Sequence, residues 1–138
     1  MIVITQQQYE SILNHALEAL PNEACGLLGG CMENAVKYVK KVYLLSNTEN
    51  SPKHFTMDPR EQFAAVKDMR NNKWVLLGNF HSHPASPSRP SEEDKRLAFD
   101  AQASYFILSL ADRQNIVLKS FNVIKNEVSE EKLIIEGK

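Results

Sequence analysis

"GNFHSHPASPSRPSEED", residues 78–94, holds two histidines separated by one serine, followed by prolines and serines that lead to Asp94. The residues entering it, "KWVLLGNFH" (73–81), read as a strand, so the histidines stand at a strand exit. Side chains at i and i+2 of a strand leave the same face, which aims His81 and His83 the same way. Two imidazoles so placed can hold one metal ion. The turn formers of "PASPSRPS" can fold the chain back and return Asp94 to the same point. A His, His, Asp set suits zinc and leaves a fourth position for water, the pattern of a catalytic site rather than a closed structural one. Bound zinc lowers the pKa of that water to ~7.

Hydrolysis at such a centre needs a general base that is not itself a ligand. Glu23 is the candidate: it opens the apolar strand "EACGLLGG" (23–30) and belongs to no solvated helix face. Ser91 can donate its hydroxyl to a developing oxyanion. Ser91 and Asp94 also have a purely structural reading, as the N-cap and first turn of a short helix. The two roles are compatible, because a cap would fix the direction of Asp94. Pro84, Pro87 and Pro90 stiffen the intervening loop. His15 and His54 stand alone and read as structural.

Outward from these residues, the chain alternates strands and helices. "MIVI" opens as a strand. Thr5 and Gln8 have the form of a capping box, and Tyr9, Ile12, Leu13, Ala16, Leu17 and Leu20 repeat at helical spacing until Pro21. "EACGLLGG" reads as a buried strand ending in a turn at its glycines, with "AVKYVKKVYLL" (35–45) as its partner. A polar connection, 46–57, leads to a helix capped by Asp58, with Pro59 at its first position, running to about Asn71. "SEEDKRLAFDA" (91–101) reads as a third helix capped by Ser91. "SYFILSL" and "NIVLKSFNVI" read as strands, Lys125 and Asn126 as a turn, and "VSEEKLIIE" (128–136) as one last strand. The expectation is one α/β domain over residues 1–138, with a mixed, mostly antiparallel sheet flanked by helices.

Composition narrows the function. At 138 residues the chain has room for one core. With 16 basic against 17 acidic residues, it lacks the cationic excess of a nucleic-acid or anionic-membrane binder. The N-terminus shows no secretion signal, and no apolar run approaches the ~20 residues of a membrane span. A cytoplasmic protein is expected, with Cys25 and Cys31 as reduced packing residues. Rival histidine motifs fail on spacing: a metallo-β-lactamase-type HxHxD needs an acid where Ala85 stands, and a barrel amidohydrolase needs ~250 residues.

The set Glu23, His81, His83, seven residues, Ser91, two residues, Asp94 resembles the JAMM, or MPN-type, metalloproteases at every position. The resemblance spans nearly the whole chain and is similar to the compact stand-alone form found in prokaryotes. It implies a cytidine-deaminase-like α/β fold and one zinc ion per chain, held by His81, His83 and Asp94. It further implies Glu23 as acid and base, and Ser91 steadying the tetrahedral intermediate. The implied substrate is a peptide or isopeptide bond at the Gly-Gly tail of a ubiquitin-fold partner such as a sulfur carrier. A zinc amidase acting on a small molecule and a non-catalytic scaffold are the alternative readings. For substrate engagement, "KHFTM" (53–57) is expected to act as an exposed sheet edge that adds the tail as a strand, with Phe55 and Met57 contacting it.

Overall fold

The computed structural model describes residues 1–137. In chain order the elements are β1 (Ile2–Thr5), α1 (Gln6–Ala19), β2 (Cys25–Glu33), β3 (Val36–Leu45), α2 (Pro59–Asn71), β4 (Val75–His83), α3 (Glu92–Arg96), β5 (Ser104–Ser109), β6 (Val117–Ile124), β7 (Glu127–Glu131) and β8 (Leu133–Glu136). The strands form one mixed sheet of eight in the order β7-β6-β5-β4-β2-β3-β1-β8. The β2/β3, β2/β4, β5/β6 and β6/β7 pairings are antiparallel; β1/β3, β1/β8 and β4/β5 are parallel.

Alternation along the strands sorts side chains onto two faces. On one face Leu28, Phe80 and Phe106 pack with Ile2, Ile4 and Ile12, the last from α1. On the other face Cys25, Leu27 and Tyr43 pack with Ala65 and Met69 of α2. Gly26 lies directly opposite Phe80 in the β2/β4 ladder. A Cβ at Gly26 would fall 2.1 Å from the Phe80 ring and 2.2 Å from the Tyr43 carbonyl oxygen. Only glycine lets that ring lie against the strand.

Local signals place most of the elements. Thr5 and Gln8 close the capping box of α1, and Asp58 caps α2 with Pro59 in its first turn. Lys125 and Asn126 turn the chain at φ 51° and 70°, as their position in the sequence suggests.

Four expectations need correction. β2 does not stop at its glycines: it runs to Glu33 across an irregularity at Gly29 and Gly30, and the turn falls on Asn34 and Ala35. The third helix ends at Arg96 because it has no buried residue, and so short a helix without a packed face gains nothing by continuing. The last strand is two strands, parted at Lys132, because β7 pairs with β6 while β8 pairs with β1. Residues 53–57 are not a sheet edge: the segment touches the rest of the chain as a strand only through a single bridge, Asn47 to Met57. Met57 is 8% exposed and packs with Cys25, Leu27 and Met69, so apolar burial has claimed the side chain expected to meet substrate.

Candidate metal centre

β4 carries His81 and His83 to the end of the sheet, where both are buried. Neighbouring Phe80 and Ser82 face the α1 side. Ser82 Oγ accepts the Ala24 N–H at 2.8 Å, and the Ser82 N–H donates to the Ala24 carbonyl at 3.0 Å. The serine between the histidines therefore pins β4 to the residue following Glu23. Its role is missed by sequence reasoning, and nothing in a serine's identity reveals a buried strand-to-strand bond.

The loop from Pro84 to Pro90 is held against β5. Ser88 Oγ donates to the Ile107 carbonyl at 2.7 Å, and Ser109 Oγ donates to the Ser86 carbonyl at 2.7 Å. The loop delivers Ser91, whose hydroxyl oxygen accepts the Asp94 N–H at 3.0 Å, while the Ser91 N–H donates to Asp94 Oδ2 at 2.9 Å. This capping box turns one Asp94 oxygen toward the histidines. The Ser91 hydroxyl hydrogen is left free to donate, since its oxygen is the capping atom.

His81 Nε2, His83 Nε2 and Asp94 Oδ2 form a triangle with edges of 3.1, 3.2 and 3.2 Å. Zinc bonds of ~2.0–2.1 Å in a tetrahedron would space three donors roughly 3.3 Å apart, so the triangle matches one face of a zinc polyhedron. The His83 Nδ1–H donates to the Pro87 carbonyl at 2.9 Å, which leaves the Nε2 lone pair directed at the triangle's centre. These three residues can hold a metal ion, and the donor set fits zinc. Burial alone would raise the Asp94 carboxyl; the two imidazoles and the Ser91 N–H outweigh it and hold Asp94 well below the usual carboxylate range.

Glu23 lies in the same electrostatic neighbourhood. Burial pushes its carboxyl up to about 7, opposed by His83 and reinforced by Asp94. The side chain is 5% exposed, and its Oε1 has no hydrogen-bond partner among the described residues. Its backbone is tied at both ends: the Glu23 N–H donates to the Ser51 carbonyl at 2.8 Å, and Asn47 Nδ2 donates to the Glu23 carbonyl at 3.0 Å. A buried carboxyl with this raised value, in the field of His83, can exchange a proton near neutral pH.

The remaining expected residues separate. Phe55 stacks on His81, ring centroids 4.7 Å apart and 23° between planes, and so walls the centre. Met57 is in the core. His54 Nδ1 is 2.8 Å from the Glu93 carboxylate, tying the 46–57 connection to α3; this pairing raises the His54 imidazole above its ordinary value. His15 Nε2 lies 3.2 Å from the Cys25 carbonyl oxygen and 2.9 Å from that of Leu45, a structural role as expected. Cys25 is fully buried and its thiol is pushed up to about 12, which makes it a packing residue.

A mixed sheet that presents His, His and Asp donors at one strand end, with a buried glutamate nearby, defines a small α/β protein with a candidate metal site. Residues 5–123 match the family model described as prokaryotic homologs of the JAB domain, and the chain belongs to that family. It is 30% identical over 131 residues to the CysO-cysteine peptidase of Mycobacterium tuberculosis, covering 95% of this chain and 88% of that one. It is 31% identical over 136 residues to the desampylase of Pyrococcus furiosus, covering 98% and 91%. A solution structure of a Desulfitobacterium hafniense protein superposes with a TM-score of 0.92 at 59% identity, over 100% of this chain and 94% of that one. Among the described residues no helix is long and apolar enough to cross a membrane.

Proposed function

We propose that this protein is a zinc metallopeptidase that hydrolyses the bond after the Gly-Gly tail of a ubiquitin-fold, sulfur-carrier-like partner. His81, His83 and Asp94 would hold the ion. When bound, zinc supplies a Lewis acid that activates water and polarises a carbonyl at neutral pH. Glu23 takes the proton from the attacking water and passes it to the departing amine. Burial raises this carboxyl above its ordinary value and so strengthens it as a base for the first step, and the acid it then becomes can serve the second. Ser91 donates its free hydroxyl hydrogen to the carbonyl oxygen as negative charge develops there. Phe55 keeps water from one side of His81.

The observation that carries this reading is the donor triangle, whose 3.1–3.2 Å edges fit zinc. Its setting beside a buried, unpaired Glu23 adds the base that hydrolysis requires. Support for the substrate class comes from the names of the relatives, a CysO-cysteine peptidase and a desampylase.

The test combines metal content with turnover on ubiquitin-fold carriers bearing residues after Gly-Gly. Glu23→Gln keeps about one zinc per chain and loses at least ~10²-fold in kcat. His81→Ala loses metal and activity together. Wild-type protein that binds no zinc would favour the scaffold reading. Normal turnover by Glu23→Gln would remove Glu23 from its role.

A further inference from the structure

Beside the donor triangle lies a cleft of about 420 Å³, mouth included, walled by Phe55, Pro90, Leu97 and Tyr105 and touching both His81 and Asp94. Its floor is Ile107 and Val123, which are 0% and 3% exposed. Apart from Asn79 and the two metal-site residues, the lining is apolar or aromatic. From this cleft we propose a specificity determinant for the amine side of the scissile bond, a pocket for the side chain of an α-linked residue released from the carrier. The inference rests on the function proposed above.

Three observations assign the occupant. First, the cleft touches His81 and Asp94, so whatever fills it is attached next to the bond being cut. On the acyl side the neighbouring residues are two glycines, which have no side chain to fill anything. The residue preceding them lies about 7 Å further along an extended tail, out of reach of a pocket that abuts the metal site. The occupant therefore belongs to the leaving group. Second, Ile107 and Val123 at its base are buried while Leu97 at its wall is half-exposed, so among these residues the cleft opens to solvent at its mouth alone. A side chain branching from an α-linked residue ends in such a cleft, whereas a lysine joined through its Nε would have to turn back out of the mouth to reach its target protein. Third, beyond Asn79 and the two residues at its metal-site end, the lining of Phe55, Pro90, Leu97, Ile107 and Val123 offers no countercharge to a cation and no donor to a carboxylate, so the favoured side chain is uncharged and apolar or thiol-bearing.

The reaction needs no new co-reactant: the C–N bond after the second glycine breaks, water's hydroxyl joins the glycine carbonyl carbon, and its proton leaves with the amine. The choice of residue resides in the pocket. Loss of one methylene from a pocket-filling side chain typically changes kcat/KM by about 10–200-fold.

The experiment uses the zinc-loaded full chain and a set of one ubiquitin-fold carrier ending Gly-Gly-X, with X glycine, alanine, cysteine, leucine, methionine, aspartate or arginine. An isopeptide-linked lysine version completes the set. Leucine, methionine and cysteine are expected at least ~10-fold above glycine and ~100-fold above aspartate in kcat/KM. Leu97→Asp changes a half-exposed wall residue. It is expected to lower X = Leu and raise X = Arg, each by about tenfold. Val123→Phe fills the floor and is expected to lower the kcat/KM ratio of X = Leu to X = Gly by about tenfold, and Leu97→Asp decides the matter should Val123→Phe unfold.

Equal rates across X overturn the proposal, as does preference for the isopeptide or a uniform loss across X in Leu97→Asp. Any of these leaves the metallopeptidase reading standing. Cleavage of no carrier by wild-type protein removes both.

Discussion

At the scale of single residues, Glu23 joins a stability signature to a chemical one. Its carboxyl stands at about 7 in the fold against an ordinary 4.5, because burial disfavours the charged form. A raised folded-state value means that the folded chain holds the proton more tightly than the unfolded chain. The contribution to stability is complete below pH 4.5 and is lost as pH rises through 7. Metal-free wild-type protein is thus expected to lose more stability across that window than Glu23→Gln, in which only the contributions of other groups such as His54 and His83 remain. The difference at pH 8 should be of order 1 kcal/mol, discounted for the solvent near the site, and is readable by urea melts of chelated protein. Ser82→Ala is expected to cost about 1–3 kcal/mol, because it leaves the buried Ala24 N–H unpaired. It should also lower kcat at unchanged zinc content, since it loosens the backbone on which Glu23 stands. The donor triangle was legible in the sequence because strand periodicity and turn chemistry are local facts: His81, His83 and Asp94 needed only those. Ser82 was not, since a serine looks the same whether it faces solvent or joins two strands. Met57 departs from its expected place because alternation in a short segment does not reveal which face the core will claim.

At the scale of elements, caps and turns did most of the specifying. Thr5 with Gln8, Asp58 with Pro59, and Lys125 with Asn126 each fix a boundary through bonds made within a few residues. The β2–β3 turn departs from that pattern. It lies at Asn34 and Ala35 with φ 52° and 66°, and alanine is poorly suited to this left-handed region. The glycines that suggested a turn serve instead where the backbone passes close to neighbouring atoms. Ala35→Gly is expected to stabilise the protein by about 0.5–1 kcal/mol, the relief of the left-handed strain less the freedom glycine adds to the unfolded chain. A raised midpoint in thermal melts, with metal binding unchanged, is the measurement. The third helix stopped early for the converse reason: capping started it, and no buried face sustained it.

At the scale of the whole molecule, the order of strands could not be read from the sequence, because it depends on pairings such as Ile2 with Leu133 that no local pattern encodes. β7 and β8, at opposite margins of the sheet, are separated by Lys132 alone, so the sheet bends round until its margins meet. Where they meet, away from the metal site, Glu131 Oε1 accepts from the Ser104 and Ser120 hydroxyls at 2.6 and 2.9 Å. Ser104 in turn accepts from the buried Lys37 ammonium at 2.8 Å. Burial lowers the Lys37 pKa, and Glu131 opposes that shift. Glu131→Ala is expected to cost about 2–3 kcal/mol, as Lys37 loses the charge that balances it, without altering zinc affinity. A chemical-denaturation midpoint that falls while metal stoichiometry holds would check it.

The adjacency of Ile2 with Leu133 also sets a timetable for the newborn chain. Synthesis proceeds at about 5–20 residues per second, so the opening strand waits roughly 7–26 seconds for its outer neighbour to emerge. The Cys25–Leu45 hairpin can close long before then. β3 can cover one edge of β1 early, but its other edge stays unpaired for that interval, a surface that chaperones would shield.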